Sequence, residues 1–246
     1  MGDLSWLTAR PVAHRGLHDA ARGIIENAGA AMDAAIAAGY AIELDLQASA
    51  DGEAMVFHDF TLDRLTDAQG PLANRTAAEL GAIAFRGTGD LILTLPQLLE
   101  RVAGRVPLVI EIKSSFSGDT RLAARAADLV AEYDGPAALM SFDPQMLEVV
   151  RARAPGVARG IVAEGRYGPE WQHISPARGF VLANLLHWPR SRFQFVNYRV
   201  ADLDKPAVRL LRALGMPVLS WTVRTQDQRA RAARYADQIV FEGFRP

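Results

Sequence analysis

Short apolar runs alternate with stretches of helical periodicity along the whole chain, the pattern of a parallel α/β fold. Residues 11–13 read as a first strand that ends at His14. Asn27 stands where an N-cap would open a helix running to about Ala38, and Gly39 where that helix would stop. Residues 40–47 predict a second strand and 108–113 a third, the latter preceded by a helix near 96–103. Residues 119–133 are helical, with Leu122, Ala126, Leu129, Val130 and Tyr133 on one face. A fourth strand spans 137–141, and Asp143-Pro144 supplies a cap and a first-turn proline for the next helix. Strands five to eight fall at 157–163, 193–198, 217–222 and 238–242. Residues 167–192 predict a helix with irregular flanks, Asp204 and Pro206 open another, and Thr225 with Gln228 forms a capping box for the last.

Eight strands with helices between them favour a closed (β/α)₈ barrel, the TIM barrel, over an open doubly wound sheet. The chain of 246 residues suits that fold as one domain. One stretch departs from the alternation. Residues 59–93 follow a short extended run at 54–57, show no single period and carry the turn signal Asp67-Ala68-Gln69-Gly70-Pro71. They read as a small insertion after the second strand. No repeat, low-complexity tract or linker is present.

Composition narrows the chemistry by exclusion. With 27 basic and 28 acidic residues the net charge is -1, so nothing favours bulk attraction to nucleic acid or to an anionic membrane. Affinity for an anionic substrate must come from a local site. The absence of cysteine removes disulfides, thiolate zinc sites and cysteine nucleophiles. Residues 1–10 lack a basic segment followed by an apolar run, and the apolar stretch 28–42 is short and interrupted by Asp33. A cytoplasmic protein without stable membrane insertion is expected.

The strand ends are where polarity concentrates: His14-Arg15-Gly16 after the first strand, Glu43-Leu44-Asp45 in the second, His58-Asp59 after the extended run, Glu111-Ile112-Lys113 in the third, and Trp221 in the seventh. In barrel enzymes the C-terminal strand ends build the active site. Side chains alternate along a strand, so Glu43 and Asp45 share one face while Ile42, Leu44 and Leu46 share the other. With the apolar set on the helices, the carboxylates face the barrel axis; Glu111 and Lys113 do the same. Three converging carboxylates repel one another unless a cation joins them, and oxygen-only ligation suits Mg²⁺ or Ca²⁺. Arg15 and Lys113 add positive charge fit for a phosphate, and His14 and His58 are a candidate acid–base pair. The carboxylates could also be neutralised by salt bridges alone, to arginines or to Lys113. His18, His173 and His187 lack such surroundings and read as structural. The arginine-rich helix 225–234 reads as a solvated face, and Asp63, Arg64 and Asp67 as turn and surface residues.

Taken in order, His14-Arg15-Gly16, Glu26-Asn27, Glu43-x-Asp45, His58-Asp59, Glu111-x-Lys113 and Trp221-Thr222 resemble the motif series of the glycerophosphodiester phosphodiesterases, from about Pro11 to Glu242. That resemblance implies a (β/α)₈ barrel with a small insertion after the second strand. It implies one divalent cation, Mg²⁺ or Ca²⁺, on Glu43, Asp45 and Glu111, acid–base chemistry by His14 and His58, and a phosphate held by Arg15 and Lys113. Glu26 would support the site and Trp221 would line the pocket for the substrate's organic part. The expected reaction is hydrolysis of a glycerophosphodiester, a small-molecule substrate, to sn-glycerol 3-phosphate and an alcohol. Two departures stand out: Ile25 and Ala28 replace the family's usual proline and Thr or Ser around Glu-Asn, and Phe241-Glu242 replaces a common Thr-Asp. Rival readings are a lysophospholipase D-like reaction, with Phe85, Leu91, Ile92 and Leu93 as an apolar channel, and an inactive phosphate-binding barrel.

Overall fold

The structure is a computed structural model that describes residues 3–168, 171 and 174–246. His173 lies outside the described residues. Among the described residues, nine strands follow one another: β1 (Val12–Ala13), β2 (Ala41–Ala48), β3 (Ala54–Val56), β4 (Leu108–Ile112), β5 (Ala137–Ser141), β6 (Ala158–Ala163), β7 (Phe195–Arg199), β8 (Val218–Val223) and β9 (Gln238–Phe241). All but β3 are parallel neighbours in sequence order, and β1 pairs with both β2 and β9, which closes an eight-stranded barrel. β3 runs antiparallel to the upper part of β2, with Leu46 opposite Val56 and Ala48 opposite Ala54.

The helices are α1 (Gly29–Ala38), α2 (Ala77–Leu80), α3 (Leu95–Val102), α4 (Arg121–Ala131), α5 (Pro144–Arg153), α6 (Pro176–Ala183), α7 (Trp188–Ser191), α8 (Pro206–Ala213) and α9 (Gln226–Tyr235). Local chemistry explains their ends. Thr94 and Gln97 form a capping box on α3, as Thr225 and Gln228 do on α9. Asp143 caps α5 by accepting from the Gln145 N–H. The apolar stripe of α3, Leu95, Leu98, Leu99 and Val102, is buried in one core with the outward residues of β2 and β4. Each such side chain stabilises the fold by about 1.5–3 kcal/mol. Among the described residues, no helix is long and apolar enough to cross a membrane.

Three expectations are corrected. Asn27 does not cap α1: Ala28 is the N-cap, without a side-chain bond, and the Asn27 side chain turns to Asp45 instead. Asp204 does not cap α8: Lys205 occupies that position, and Asp204 pairs with Arg231 at 2.6 Å. Among the described residues of 167–192 two short helices, α6 and α7, stand in place of one. The first stops at Asn184, the chain turns through Leu185 at φ 59°, and Trp188-Pro189 opens the second.

The barrel interior is a separate core from the layer between strands and helices. Val12, Ala41, Val109, Ala138, Ala158, Phe195, Leu219 and Val240 fill it, with Leu7 from an N-terminal 3₁₀ turn (Ser5–Leu7). Gly160 is part of this packing: a Cβ there would lie 2.2 Å from the Phe195 ring. Two residues beyond these fillers, the alternation brings the next inward positions to the mouth. Val12 leads to His14, Ala41 to Glu43, Val109 to Glu111, Leu219 to Trp221 and Val240 to Glu242.

The segment 59–93 is held by its own small core. Leu62, Leu72, Leu80, Phe85 and Ile92 pack with Met55 and Phe57, and the Phe57 and Phe85 rings stack at 5.9 Å. Phe57 immediately precedes His58, so this packing anchors the segment beside the mouth. Phe85 and Ile92 are therefore core residues, and neither they nor Leu91 and Leu93 line the cavity at the mouth. The apolar channel considered for them is not formed by these residues.

Candidate active site

A cavity of about 930 Å³ opens at the C-terminal ends of the strands. His14, Arg15, Glu43, His58, Glu111 and Lys113 line one side of it, and Phe142, Val162, Asn197 and Trp221 are among those on the other. Of the candidate site residues, Asp45 lies beneath the lining, fully buried, and Glu26 stands behind Arg15.

The loop after β1 is built to present its side chains. Arg15 and Gly16 both take positive φ, 56° and 79°. A Cβ on Gly16 would come within 2.9 Å of the Ala31 backbone, so this position requires glycine. The turn aims the Arg15 N–H at Glu43 Oε2, 3.0 Å away, and the Asn27 N–H donates to the Arg15 carbonyl at 3.0 Å. Asn27 also adopts positive φ, 60°, which asparagine tolerates better than most residues. Its side chain grips Asp45 twice: Nδ2 donates to Oδ2 at 2.9 Å, and Oδ1 accepts from the Asp45 N–H at 3.3 Å.

Glu43, Asp45 and Glu111 bring one carboxylate oxygen each within 4.8 Å of one another. All three are buried. Lys113 Nζ reaches Asp45 at 2.7 Å and Glu111 at 2.6 Å, and Arg15 Nε lies 3.3 Å from Asp45. Burial pushes Asp45 upward, but Lys113 and Arg15 outweigh it and hold the carboxyl far below the usual range. Glu43 goes the other way. Burial, then the charges of Asp45 and Glu111, push it well above an ordinary glutamate. Burial alone would lower Lys113, but the same two partners outweigh it and raise the ammonium above its ordinary value. The donor set is three hard oxygens with one member, Glu43, poorly compensated by protein cations. It fits a divalent cation such as Mg²⁺ or Ca²⁺.

Both candidate histidines are oriented alike. His14 Nδ1 lies 2.7 Å from Glu242 Oε2, and His58 Nδ1 lies 2.6 Å from Asp59 Oδ1. An ionised carboxylate only accepts, so each Nδ1 carries a proton and each Nε2 is left to exchange one. Burial lowers His14 to about 4, partly opposed by its bond to Glu242. Glu242 is held well below the glutamate range, chiefly by His14 and also by Arg224. The His58 backbone is fixed as well, since Gln47 Nε2 donates to its carbonyl at 2.8 Å.

Residues 14–241 match the glycerophosphoryl diester phosphodiesterase family. The chain belongs to this family. A glycerophosphodiester phosphodiesterase of Caldanaerobacter subterraneus is 31% identical over 161 residues, 61% of this chain and 65% of that protein. Bacillus subtilis YhdW, a candidate glycerophosphodiester phosphodiesterase, is 26% identical over 241 residues, covering 93% and 92% of the two chains. The fold superposes with a TM-score of 0.76 on an Oleispira antarctica phosphodiesterase solved in complex with the product sn-glycerol-3-phosphate, at 22% identity over 94% of this chain and 91% of that one.

Around this candidate site stand four residues to which the sequence reading gives no part in it. Glu242 stands out in sequence only as a departure, yet the alternation that places Glu43 inward places Glu242 inward too, two residues past Val240. Asp59 is part of a motif and proves to be the partner of His58. Asn27 reads as a cap in sequence; its turn toward Asp45 follows from a positive φ that no local pattern signals. Arg64 reads as a surface residue of the insertion and bonds to both Glu26 and Asp59. Trp221 lines the cavity, with its indole N–H donated to the Asn197 carbonyl at 3.1 Å and its ring meeting Phe142 edge-on at 5.5 Å. His187 lies away from the cavity lining, buried, with Nδ1 2.9 Å from Ser191 Oγ.

Proposed function

We propose that the protein hydrolyses small glycerophosphodiesters to sn-glycerol 3-phosphate and an alcohol, with His14 and His58 as the acid–base pair. The observation that carries this reading is the matched pair of imidazoles. Each is oriented at Nδ1 by a carboxylate, and both line one cavity with Glu43 and Glu111, which cluster with the buried Asp45 beneath. Glu43, Asp45 and Glu111 would hold a single Mg²⁺ or Ca²⁺, which would supply charge neutralisation at the phosphoryl group and lower the pKa of a hydroxyl. Arg15 and Lys113 bind the non-bridging phosphate oxygens. Glu26 supports Arg15 through the 2.6 Å bond at Nη1, and with Nε beside Asp45 at 3.3 Å it is Nη2 that is left for the substrate.

One histidine removes a proton from the glycerol hydroxyl next to the phosphoester. That oxygen attacks phosphorus, and the other histidine protonates the departing alcohol as its P–O bond breaks. Water then opens the resulting cyclic phosphate with the two histidines in exchanged roles. A neighbouring hydroxyl has the advantage of proximity over water collected from solution. Trp221 and Phe142 form a wall for the alcohol moiety.

A panel of glycerophosphocholine, -ethanolamine, -glycerol and -inositol beside lysophospholipids, with Mg²⁺ or Ca²⁺, tests the assignment. Release of glycerol 3-phosphate from the water-soluble diesters is expected. Turnover of lysophospholipids alone would contradict it. A diester whose adjacent hydroxyl is methylated should be cleaved far more slowly, and a cyclic phosphate should appear transiently by phosphorus NMR. Equal rates for parent and methylated diester would replace the cyclic route by direct attack of water.

A further inference from the structure

We propose that Arg64, carried by the insertion, is a positioning residue that fixes both an acid–base histidine and the phosphate-binding arginine through one guanidinium fork. Its Nε donates to Asp59 Oδ2 at 2.6 Å and its Nη2 to Asp59 Oδ1 at 3.0 Å. The same group donates from Nη1 to Glu26 Oε2 at 3.0 Å and from Nη2 to Glu26 Oε1 at 2.6 Å. Each carboxylate is thus held at both oxygens. Asp59 holds the Nδ1 of His58, and Glu26 holds Nη1 of Arg15. The relay is therefore His58–Asp59–Arg64–Glu26–Arg15, with Arg64 at its centre. Arg64 itself is outside the cavity lining.

Two facts argue against an incidental surface pair. A planar fork that spans two carboxylates is a geometry lysine cannot reproduce. The backbone around Arg64 is also braced: Arg86 Nη1 donates to the Arg64 carbonyl at 3.2 Å, Arg86 Nη2 donates to the carbonyls of Asp63 and Thr66, and the small core of Leu62, Phe85 and Phe57 holds the segment. The insertion is thereby coupled to the barrel at the two groups whose placement the reaction needs most. Without Arg64, Asp59 and Glu26 would lose their shared cation. His58 would lose a fixed ring orientation, and Arg15, already 3.3 Å from Asp45 at Nε, would lose the anchored Glu26 that sets the direction of Nη1.

The inference rests on the proposed roles of His58 and Arg15. Its test compares Arg64→Ala and Arg64→Lys with the unaltered protein on glycerophosphocholine at saturating divalent cation. Circular dichroism checks folding. For Arg64→Ala, kcat should fall about 10–100-fold, the size typical for partners that orient functional groups. Guanidinium ion at sub-denaturing concentration should restore part of that loss, which would not follow from a purely structural role. Arg64→Lys keeps the charge but not the fork. It should fold normally and still show a clear loss of kcat that guanidinium does not repair. Unchanged kcat in Arg64→Ala, a loss without guanidinium rescue, or full activity in Arg64→Lys would each overturn the proposal. If His58→Ala also retains full activity, the site reading itself fails; if only the Arg64 variants are silent, this inference alone does.

Discussion

The two sides of the barrel mouth are built from different materials. The side made by β1, β2 and β4 with the insertion is ionic: His14, Arg15, Glu43, His58, Glu111 and Lys113 line it, with Asp45 and Glu26 behind. The side made by β5 to β8 presents Phe142, Val162, Asn197 and Trp221. Of its charged members, Glu164 and Arg199 are paired with each other at 3.0 Å, and Arg224 after β8 is paired with Glu242 at 2.9 Å. The ionic side is cross-linked between segments, His14 to Glu242, Arg15 to Glu26 and Glu43, and Lys113 to Asp45. Moving one group therefore disturbs several. The aromatic side is held by ring contacts and by indole hydrogen bonds, from Trp221 to the Asn197 carbonyl and from Trp171 to Glu164, so truncating Trp221 removes surface without unpairing a charge. On the proposed function, losses of rate should come from the first side and changes of substrate preference from the second.

The largest effects should follow removal of the imidazoles. His14→Ala and His58→Ala should each lower kcat by about 10²–10⁴-fold while the barrel remains folded. Steady-state kinetics with circular dichroism checks this. A loss confined to KM in both variants would show that the histidines bind but do not transfer protons. Glu242→Gln comes next. It removes the charge that holds His14 Nδ1 and should reduce kcat by about 10–100-fold, less than loss of the imidazole itself. Wild-type kcat in that variant would make Glu242 a wall residue only.

Trp221→Ala should act differently. Its effect should appear mainly in KM and in the ranking of head groups, with kcat on the best substrate little changed. A uniform drop of kcat across the substrate panel would contradict the division between the two sides.

The smallest effect on activity concerns His187, which sits beside Phe193 away from the cavity. Burial lowers it to about 4 from 6.5. In the unfolded chain it binds a proton at a higher pH than in the folded one. Its contribution therefore leaves stability highest above pH 6.5 and reduces it as pH falls toward 4, by at most roughly 3 kcal/mol. His14 has the same sign and window. His187→Gln should flatten part of the decline in denaturation midpoints between those pH values and leave turnover near wild type. An unchanged pH dependence would mean His187 is solvated in the native state.

The barrel is legible in the sequence because eight strands, with their inward and outward alternation, recur along the chain, and the same alternation puts Glu43, Asp45, Glu111 and Lys113 on the axis. What stays hidden depends on contacts distant in sequence. Nothing near Arg64 says that its fork meets Glu26, a residue of the loop before α1. Asn27 looks like a helix cap because Asn before a helix commonly is one, and the backbone at φ 60° gives its side chain to Asp45 instead. Glu242 is within reach of the alternation rule, but the family resemblance draws attention to what it replaces rather than to which way it points.

If the ionic side works around one divalent cation on Glu43, Asp45 and Glu111, metal content and turnover must rise together. Metal-stripped protein is titrated with Mg²⁺ or Ca²⁺, bound ion and glycerophosphodiester turnover are measured on the same samples, and Asp45→Asn is carried alongside. One ion per chain is expected, with activity that follows occupancy and with weakened binding in a folded Asp45→Asn protein. Full turnover in excess EDTA, with no metal found by elemental analysis, would contradict it.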